Sequence, residues 1–164
     1  VGGEDQEFAL SEVFIDADAC PVKKEVYRVA ERHHVGVKVV ANAPMSVPSV
    51  QWIELVVVSD GFDAADDWIV EHVRPRDIVV SDDIPLASRC LQKGARVVNA
   101  RGREFTEAAI GDALATREVL SQLREHGLVS GGPAPFEQKD RSRFLDRFDA
   151  ILRAALRQGR EGSR

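Results

Sequence analysis

The chain has 164 residues, 44% hydrophobic and 30% charged, with a formal net charge of −5. This is the balance of one globular domain with enough material for a core, and no apolar run approaches the roughly 20 residues a bilayer span needs. Cys20 and Cys90 form no C-x-x-C pair and Val1-Gly2-Gly3 offers no basic n-region, so neither a disulfide framework nor a signal peptide is expected, and a cytoplasmic location is.

Residues 1–12 carry four acids, no base and no apolar period. A frayed tail is expected there, followed by a single domain over 13–160. Val13-Phe14-Ile15 reads as a strand ending at Asp16-Ala17-Asp18, and period two puts Asp16 and Asp18 on one face. Pro21 opens a helix. Its stripe is Val22, Val26, Val29 and Ala30; it runs to about His34, with Gly36 as the stop. Residues 37–40 form a second strand ending near Asn42. A loop with Pro44 and Pro48 leads to a third strand over 53–58.

Gly61 breaks the pattern, and a helix begins near Asp63 with Ala64, Ala65, Trp68 and Ile69, ending near Val73. Ile78-Val79-Val80 is an uninterrupted apolar run, as expected of a parallel strand covered on both faces. Ser81-Asp82-Asp83 follow, then a helix from Ile84 to Lys93, with Pro85 in its first turn and Gly94 as its stop. Val97 and Val98 form a short strand, and Arg101-Gly102 turn the chain away.

This alternation over 13–102 predicts a three-layer α/β/α fold with a mostly parallel central sheet. Residues 103–160 read as C-terminal helices. One spans 106–126, with Ala109, Ile110, Ala113, Leu114, Leu120 and Leu123 as its stripe. Another spans 140–158, with Phe144, Phe148, Ile151, Leu152 and Ala155. Residues 139–164 hold eight bases against four acids, which fits a solvated Arg-rich helix and gives a weak hint of a polyanion partner.

Three strand-to-helix junctions carry aspartates: Asp16 and Asp18; Asp63, Asp66 and Asp67; Asp82 and Asp83. Open α/β sheets bind ligands at the carboxyl ends of their strands. Converging carboxylates raise each other's pKa values and are relieved by a cation, and Mg²⁺ and Mn²⁺ prefer oxygen ligands. The expectation is one acidic pocket holding a divalent metal. Each cluster also has a capping explanation. Asp63 and Asp66 have capping-box spacing, Asp83 suits an N-cap and Asp18 suits the first helix. Lys23 and Lys24 could meet phosphates beside Asp16. Cys20 reads as a small buried thiol, and His33, His34, His72 and His126 as structural or exposed helix-end residues. Gly131-Gly132-Pro133 reads as a turn rather than a phosphate cradle.

Phe14-Ile15-Asp16-Ala17-Asp18-Ala19-Cys20-Pro21, Gly61 to Asp67 and Asp83-Ile84-Pro85-Leu86-Ala87 together resemble the bacterial YaiI/YqxD family, as do Asn99-Ala100-Arg101-Gly102 and Gly131-Gly132-Pro133. The resemblance covers roughly residues 13–150. That family is functionally uncharacterised but is in turn similar to PIN-like domains, the fold of many metal-dependent ribonucleases and 5′-exonucleases. Asp16 resembles the Asp that ends a PIN domain's first strand, and Asp18 its polar residue two positions on. Ala64-Ala65-Asp66-Asp67 resembles the exonuclease pattern E-A-D-D, with Ala64 in place of the Glu. Ser81-Asp82-Asp83-Ile84-Pro85-Leu86 resembles T-x-D-x-x-L.

The resemblance implies Mg²⁺- or Mn²⁺-dependent cleavage of phosphodiester bonds, in RNA sooner than DNA. Asp16, Asp67 and Asp83 would be catalytic, Asp18 and Asp66 further metal ligands, and Lys23, Ser81 and Asp82 substrate contacts. A non-catalytic RNA- or protein-binding module on the same fold is the alternative that Ala64 favours. A third reading is a haloacid-dehalogenase-like phosphatase, whose D-x-D and late Asp pair resemble Asp16-Ala17-Asp18 and Asp82-Asp83. It needs a lysine for which Lys38, inside a strand, is the sole counterpart.

Overall fold

The computed structural model describes residues 11–18, 20–59, 61, 63–127 and 135–162. The expected glycine turn at 131–133 and the first ten residues lie outside them. The elements run β1 (Glu12–Asp16), α1 (Lys23–His33), β2 (Gly36–Ala41), β3 (Ile53–Val57), α2 (Ala64–His72), β4 (Ile78–Val80), α3 (Ile84–Gln92), β5 (Arg96–Val98), β6 (Glu104–Phe105), α4 (Glu107–Glu125) and α5 (Gln138–Gly162). One sheet has the order β3-β2-β1-β4-β5-β6. Its pairings are parallel except the last, between β5 and β6.

The apolar strands divide between two layers because successive side chains alternate across the sheet. Val13 and Ile15 point with Val26, Val29, Phe144, Phe148 and Leu152 into a core under α1 and α5. Phe14 and Val79 join Ile69, Leu86, Ala87 and Cys90 under α2 and α3. β1 and β4 are therefore covered on both faces, as their apolar runs require. Phe144, Phe148, Leu152 and Ala155 of α5 are all fully buried, and each large side chain there contributes about 2–3 kcal/mol of transfer free energy. Polar pairs fix the α1–α5 contact. Asp149 accepts from His33 at 2.7 Å and Arg32 at 3.2 Å, and Arg141 meets Glu25 at 3.3 Å. Packing thus already occupies Arg141 of the basic end. Among the described residues no helix is long and apolar enough to cross a membrane.

The structure departs from the sequence reading in four places. Ser11 and Glu12 belong to the fold and not to a tail: Ser11 is buried and Glu12 opens β1. Helix α1 ends at His34 as expected, but the stop is His34 itself in the left-handed region, φ 55°, and not Gly36. The N–H groups of His34 and Val35 close the last turn on Glu31 and Ala30, which offsets the small steric cost of that conformation. Strand β6 lies inside the segment read as helical. Asn99 builds the turn before it, its Oδ1 accepting from the N–H groups of Arg101 and Arg103 at 3.0 and 2.9 Å. Gly102 at φ 84° completes that turn against α5, where a Cβ would come within 3.0 Å of Arg147. The fourth departure is α4. Ile110 is buried, but Leu114 is 38% exposed, Leu120 and Leu123 are half-buried and Ala109 is exposed.

Candidate functional site

The chain leaves β1 toward β2 on one side of the sheet and leaves β4 toward β5 on the other. The carboxyl ends of β1 and β4, neighbours in the sheet, are therefore its topological switch point, where a crevice forms. Asp16 is the last residue of β1, and Ser81-Asp82-Asp83 follow β4 directly. The start of α2 adds Asp63 and Asp66. A cavity of about 730 Å³ opens between them, lined by Asp16, Asp18, Asp63, Asp66, Asp82 and Asp83, with Cys20, Asn42, Gly61 and Ser81 beside them. No lysine or arginine among the described residues lines it.

Local structure holds most of these carboxylates. The Ser81 hydroxyl donates to Asp16 Oδ2 at 2.9 Å and accepts from the Asp83 N–H at 3.0 Å. Asp83 caps α3, its Oδ1 accepting from the Leu86 N–H at 3.0 Å. Asn42 Nδ2 donates to Asp18 at 2.6 Å. Asp82 accepts from the Ala100 N–H at 3.2 Å and ties the loops after β4 and β5 together. The capping explanation holds for Asp83 alone. Asp63 stands at the N-cap of α2 without a side-chain bond, and α1 is capped by Val22 with none either.

The electrostatics follow from this crowding. Burial pushes the Asp16 carboxyl above its ordinary value; the Ser81 hydrogen bond opposes the shift, and Asp18, Asp83 and Asp82 add to it. Burial, then Asp83, Asp16 and Asp63, push Asp66 up to about 6. The Cys20 thiol is also raised, chiefly by burial. It is half-buried and lines the cavity as an un-ionised thiol. Cys90 is fully buried, and burial pushes it up to about 12.

The chain matches, over residues 14–154, the family model described as "Uncharacterized BCR, YaiI/YqxD family". It belongs to the YaiI/YqxD family. A UPF0178 protein of Brucella ovis is 54% identical over 148 residues, covering 90% of this chain and 92% of the relative. One from Rhodospirillum centenum is 54% identical over 155 residues, 92% of this chain and 100% of the relative. One from Rhodopseudomonas palustris is 50% identical over 150 residues, 92% and 95% respectively. No solved structure matches.

In this YaiI/YqxD chain the cavity gathers Asp16, Asp18, Asp66, Ser81, Asp82 and Asp83 from the residues singled out in the sequence. It does not gather Asp67 or Lys23. The exposed Asp67 carboxylate pairs with Arg89 at 2.9 Å, because adjacent helical residues point about 100° apart and Asp66 takes the inward direction. Lys23 Nζ donates to the Cys20 carbonyl at 3.1 Å. Lys38 lies against Glu12 at 2.6 Å and Glu54 at 3.6 Å and does not line the cavity, which removes the lysine a haloacid-dehalogenase-like site would need. His33 pairs with Asp149, and His72 stacks on Trp68 at 3.8 Å. Asn42 belongs to the site without a motif to mark it; its place at the end of β2 is the only signal the sequence carries.

Among the described residues, no group of three or more His, Cys, Asp or Glu side chains is arranged to hold a metal ion unaided. Mg²⁺, however, is commonly held by one or two carboxylates with waters and substrate phosphates completing its shell. An all-oxygen donor set with Asp16 and Asp83 linked through Ser81 fits that kind of site and not a closed cage.

Proposed function

We propose that this protein hydrolyses phosphodiester bonds in nucleic acid with Mg²⁺ or Mn²⁺, RNA being preferred to DNA on the PIN-like resemblance. The observation that carries the reading is the set of carboxylates at the switch point, in a cavity that no lysine or arginine among the described residues lines. Asp16 and Asp83 are the first cation ligands. Ser81 orients Asp16 and, through the Asp83 N–H, fixes the distance between the two. Asp66 replaces Asp67 as the α2 ligand, because it lines the cavity whereas Asp67 is paired with Arg89. Asp18 and Asp63, which also line the cavity, accept hydrogen bonds from the water shell. A cation bound there would supply an acidified water and would neutralise charge on the phosphate oxygens. Asp82 holds the Ala100 loop and Lys23 the Cys20 turn, so neither is needed as a substrate contact.

Manganese titration by calorimetry tests this without knowledge of the substrate. Asp83→Asn keeps an N-cap side chain, since Asn caps about as well as Asp. Saturable binding in the wild type, lost in Asp83→Asn, supports the reading and justifies a cleavage screen on RNA and DNA. A second reading is a non-catalytic nucleic-acid- or protein-binding module on the same fold. Ala64 at the position of the exonuclease Glu and the absence of a three-ligand group among the described residues favour it. Metal binding without cleavage of any nucleic acid would decide for that module.

A further inference from the structure

Next to the acidic cavity lies a second one, of about 560 Å³, between the start of α3 and the length of α4. Ile84, the residue after Asp83, forms its near wall. Arg103, from the turn that also delivers Ala100 to the acidic cavity, forms another. The far wall is α4, through Ala109, Asp112, Thr116, Leu120 and Arg124. These stand at i, i+3, i+7, i+11 and i+15, one continuous stripe of a 3.6-residue helix. Only Leu120 of that stripe is half-buried; Ala109, Asp112, Thr116 and Arg124 are exposed, and an open groove remains between the stripe and Ile84.

Two features of the groove bear on what it could hold in a chain of net charge −5. Neither the Arg103 nor the Arg124 guanidinium has an ion-pair partner among the described residues. The carboxylate between them in sequence, Asp112, pairs with neither. Arg32, Arg89, Arg141 and Arg153 each lie within 3.3 Å of an acid, whereas Arg103 and Arg124 share one groove without one among the described residues. The apolar side chains of Ile84 and Leu120 share the groove with the two unmatched cations. Guanidinium groups beside apolar surface suit a chain that is anionic along one edge and flat and apolar along the other.

We infer that the α3–α4 groove binds single-stranded nucleic acid, holding the nucleotides that flank the phosphate at the Asp16–Asp83 cavity. This deepens the proposed function and rests on it for the placement of that phosphate. The backbone runs from the carboxylates past Ile84, its phosphates meeting Arg103 and Arg124, with a base against Leu120. At about 560 Å³ the groove is of small-ligand size, which suits a few unpaired nucleotides. The expected partner is therefore a single strand, bound through phosphate charge and apolar contact with Ile84 and Leu120, with little sequence preference.

The test is fluorescence anisotropy of a fluorescein-labelled oligouridine and of a duplex of equal length, in EDTA, across a salt series. Without metal, cleavage plays no part, so the outcome is independent of the catalytic reading. The wild type should bind the single strand and discriminate against the duplex. Arg103→Ala/Arg124→Ala should bind about tenfold more weakly, with a salt slope shallower by roughly 1.4, as expected when two phosphates of a single strand are no longer neutralised. Asp112→Asn should bind more tightly, a change in the direction that misfolding cannot produce. No single-strand binding by the wild type, equal affinity for the duplex, or a double variant that binds like the wild type with the same slope would each overturn the inference. Manganese binding at Asp16 and Asp83 would stand or fall separately, by calorimetry.

Discussion

At the amino end of the sheet Asp77 is 1% exposed, and its two carboxylate oxygens accept from the N–H groups of Glu12 at 2.9 Å and Arg74 at 2.8 Å. The Arg74 guanidinium stands 4.0 Å away. At the carboxyl end Asp16 is held by one hydroxyl and faces Asp18, Asp82 and Asp83. Burial raises the carboxyl pKa at both ends, so the shift alone does not tell the two apart. Their partners do. Asp77 bonds across the starts of β1 and β4 with donors for both oxygens and a cation nearby, which is how a buried acid serves structure. Asp16 is surrounded by more acids, with no cation lining its cavity among the described residues, an arrangement that costs stability unless something from outside relieves it.

The sharpest test of this contrast is Asp16→Asn. The amide oxygen can still accept from Ser81, while the charge and its repulsion are gone. Manganese affinity should fall by more than about 100-fold, beyond the 10–100-fold typical of residues that only support a ligand. Thermal unfolding without metal at neutral pH should show a midpoint no lower than the wild type. A lower midpoint with metal affinity intact would make Asp16 a structural acid like Asp77.

Asp77→Ala should behave in the opposite way. Two buried N–H groups lose their acceptor, each at about 1–3 kcal/mol, so denaturant unfolding should report a loss of about 2–6 kcal/mol. The folded fraction should bind manganese as the wild type does. A change in metal affinity without a change in stability would mean the two ends of the sheet are not distinct.

A third test uses pH. Asp66 rises from 3.8 to about 6, so the folded carboxyl holds its proton more tightly than the unfolded one. The metal-free protein therefore loses stability through Asp66 as pH rises from about 4 to about 6. A cation competes for the same group, so manganese affinity should drop at least about tenfold between neutral pH and pH 5 as a proton must be displaced. Flat affinity over that window in calorimetry would take Asp66 out of the site.

The layered fold and the three acidic junctions were legible in the sequence because they rest on local signals. Val13-Phe14-Ile15 and Ile78-Val79-Val80 are apolar without interruption, and Pro85 and Gly94 punctuate α3. The order of strands was not legible. That β1 sits beside β4, which alone brings Asp16 to Ser81 and Asp83, depends on contacts about 65 residues apart in sequence. β6 has two residues and no period to detect. The stripe on α4 is periodic in sequence, yet its partner surface covers mainly Ile110, and periodicity cannot report whether a facing element exists. The end of α1 near His34 was legible, but not that His34 itself, with Gly36 two positions on, would take the left-handed conformation.

The smallest predicted effect concerns the one choice that spacing could not make. Asp66 and Asp67 are adjacent and chemically identical, and the E-A-D-D likeness covers both. What separates them is Arg89, 22 residues away on α3, which reaches Asp67 at 2.9 Å on the exposed surface. An exposed pair of this kind contributes about 0–1 kcal/mol. Asp67→Asn should therefore change stability by less than about 1 kcal/mol and leave manganese affinity within about twofold of the wild type, a change of under roughly 0.5 kcal/mol, whereas Asp66→Asn should weaken metal binding clearly. Calorimetry on the two variants side by side decides between them. If Asp67→Asn were the one to lose the metal, Arg89 would have to release it when the cation binds, and the α2 ligand would be the residue facing solvent instead of the one facing the cavity.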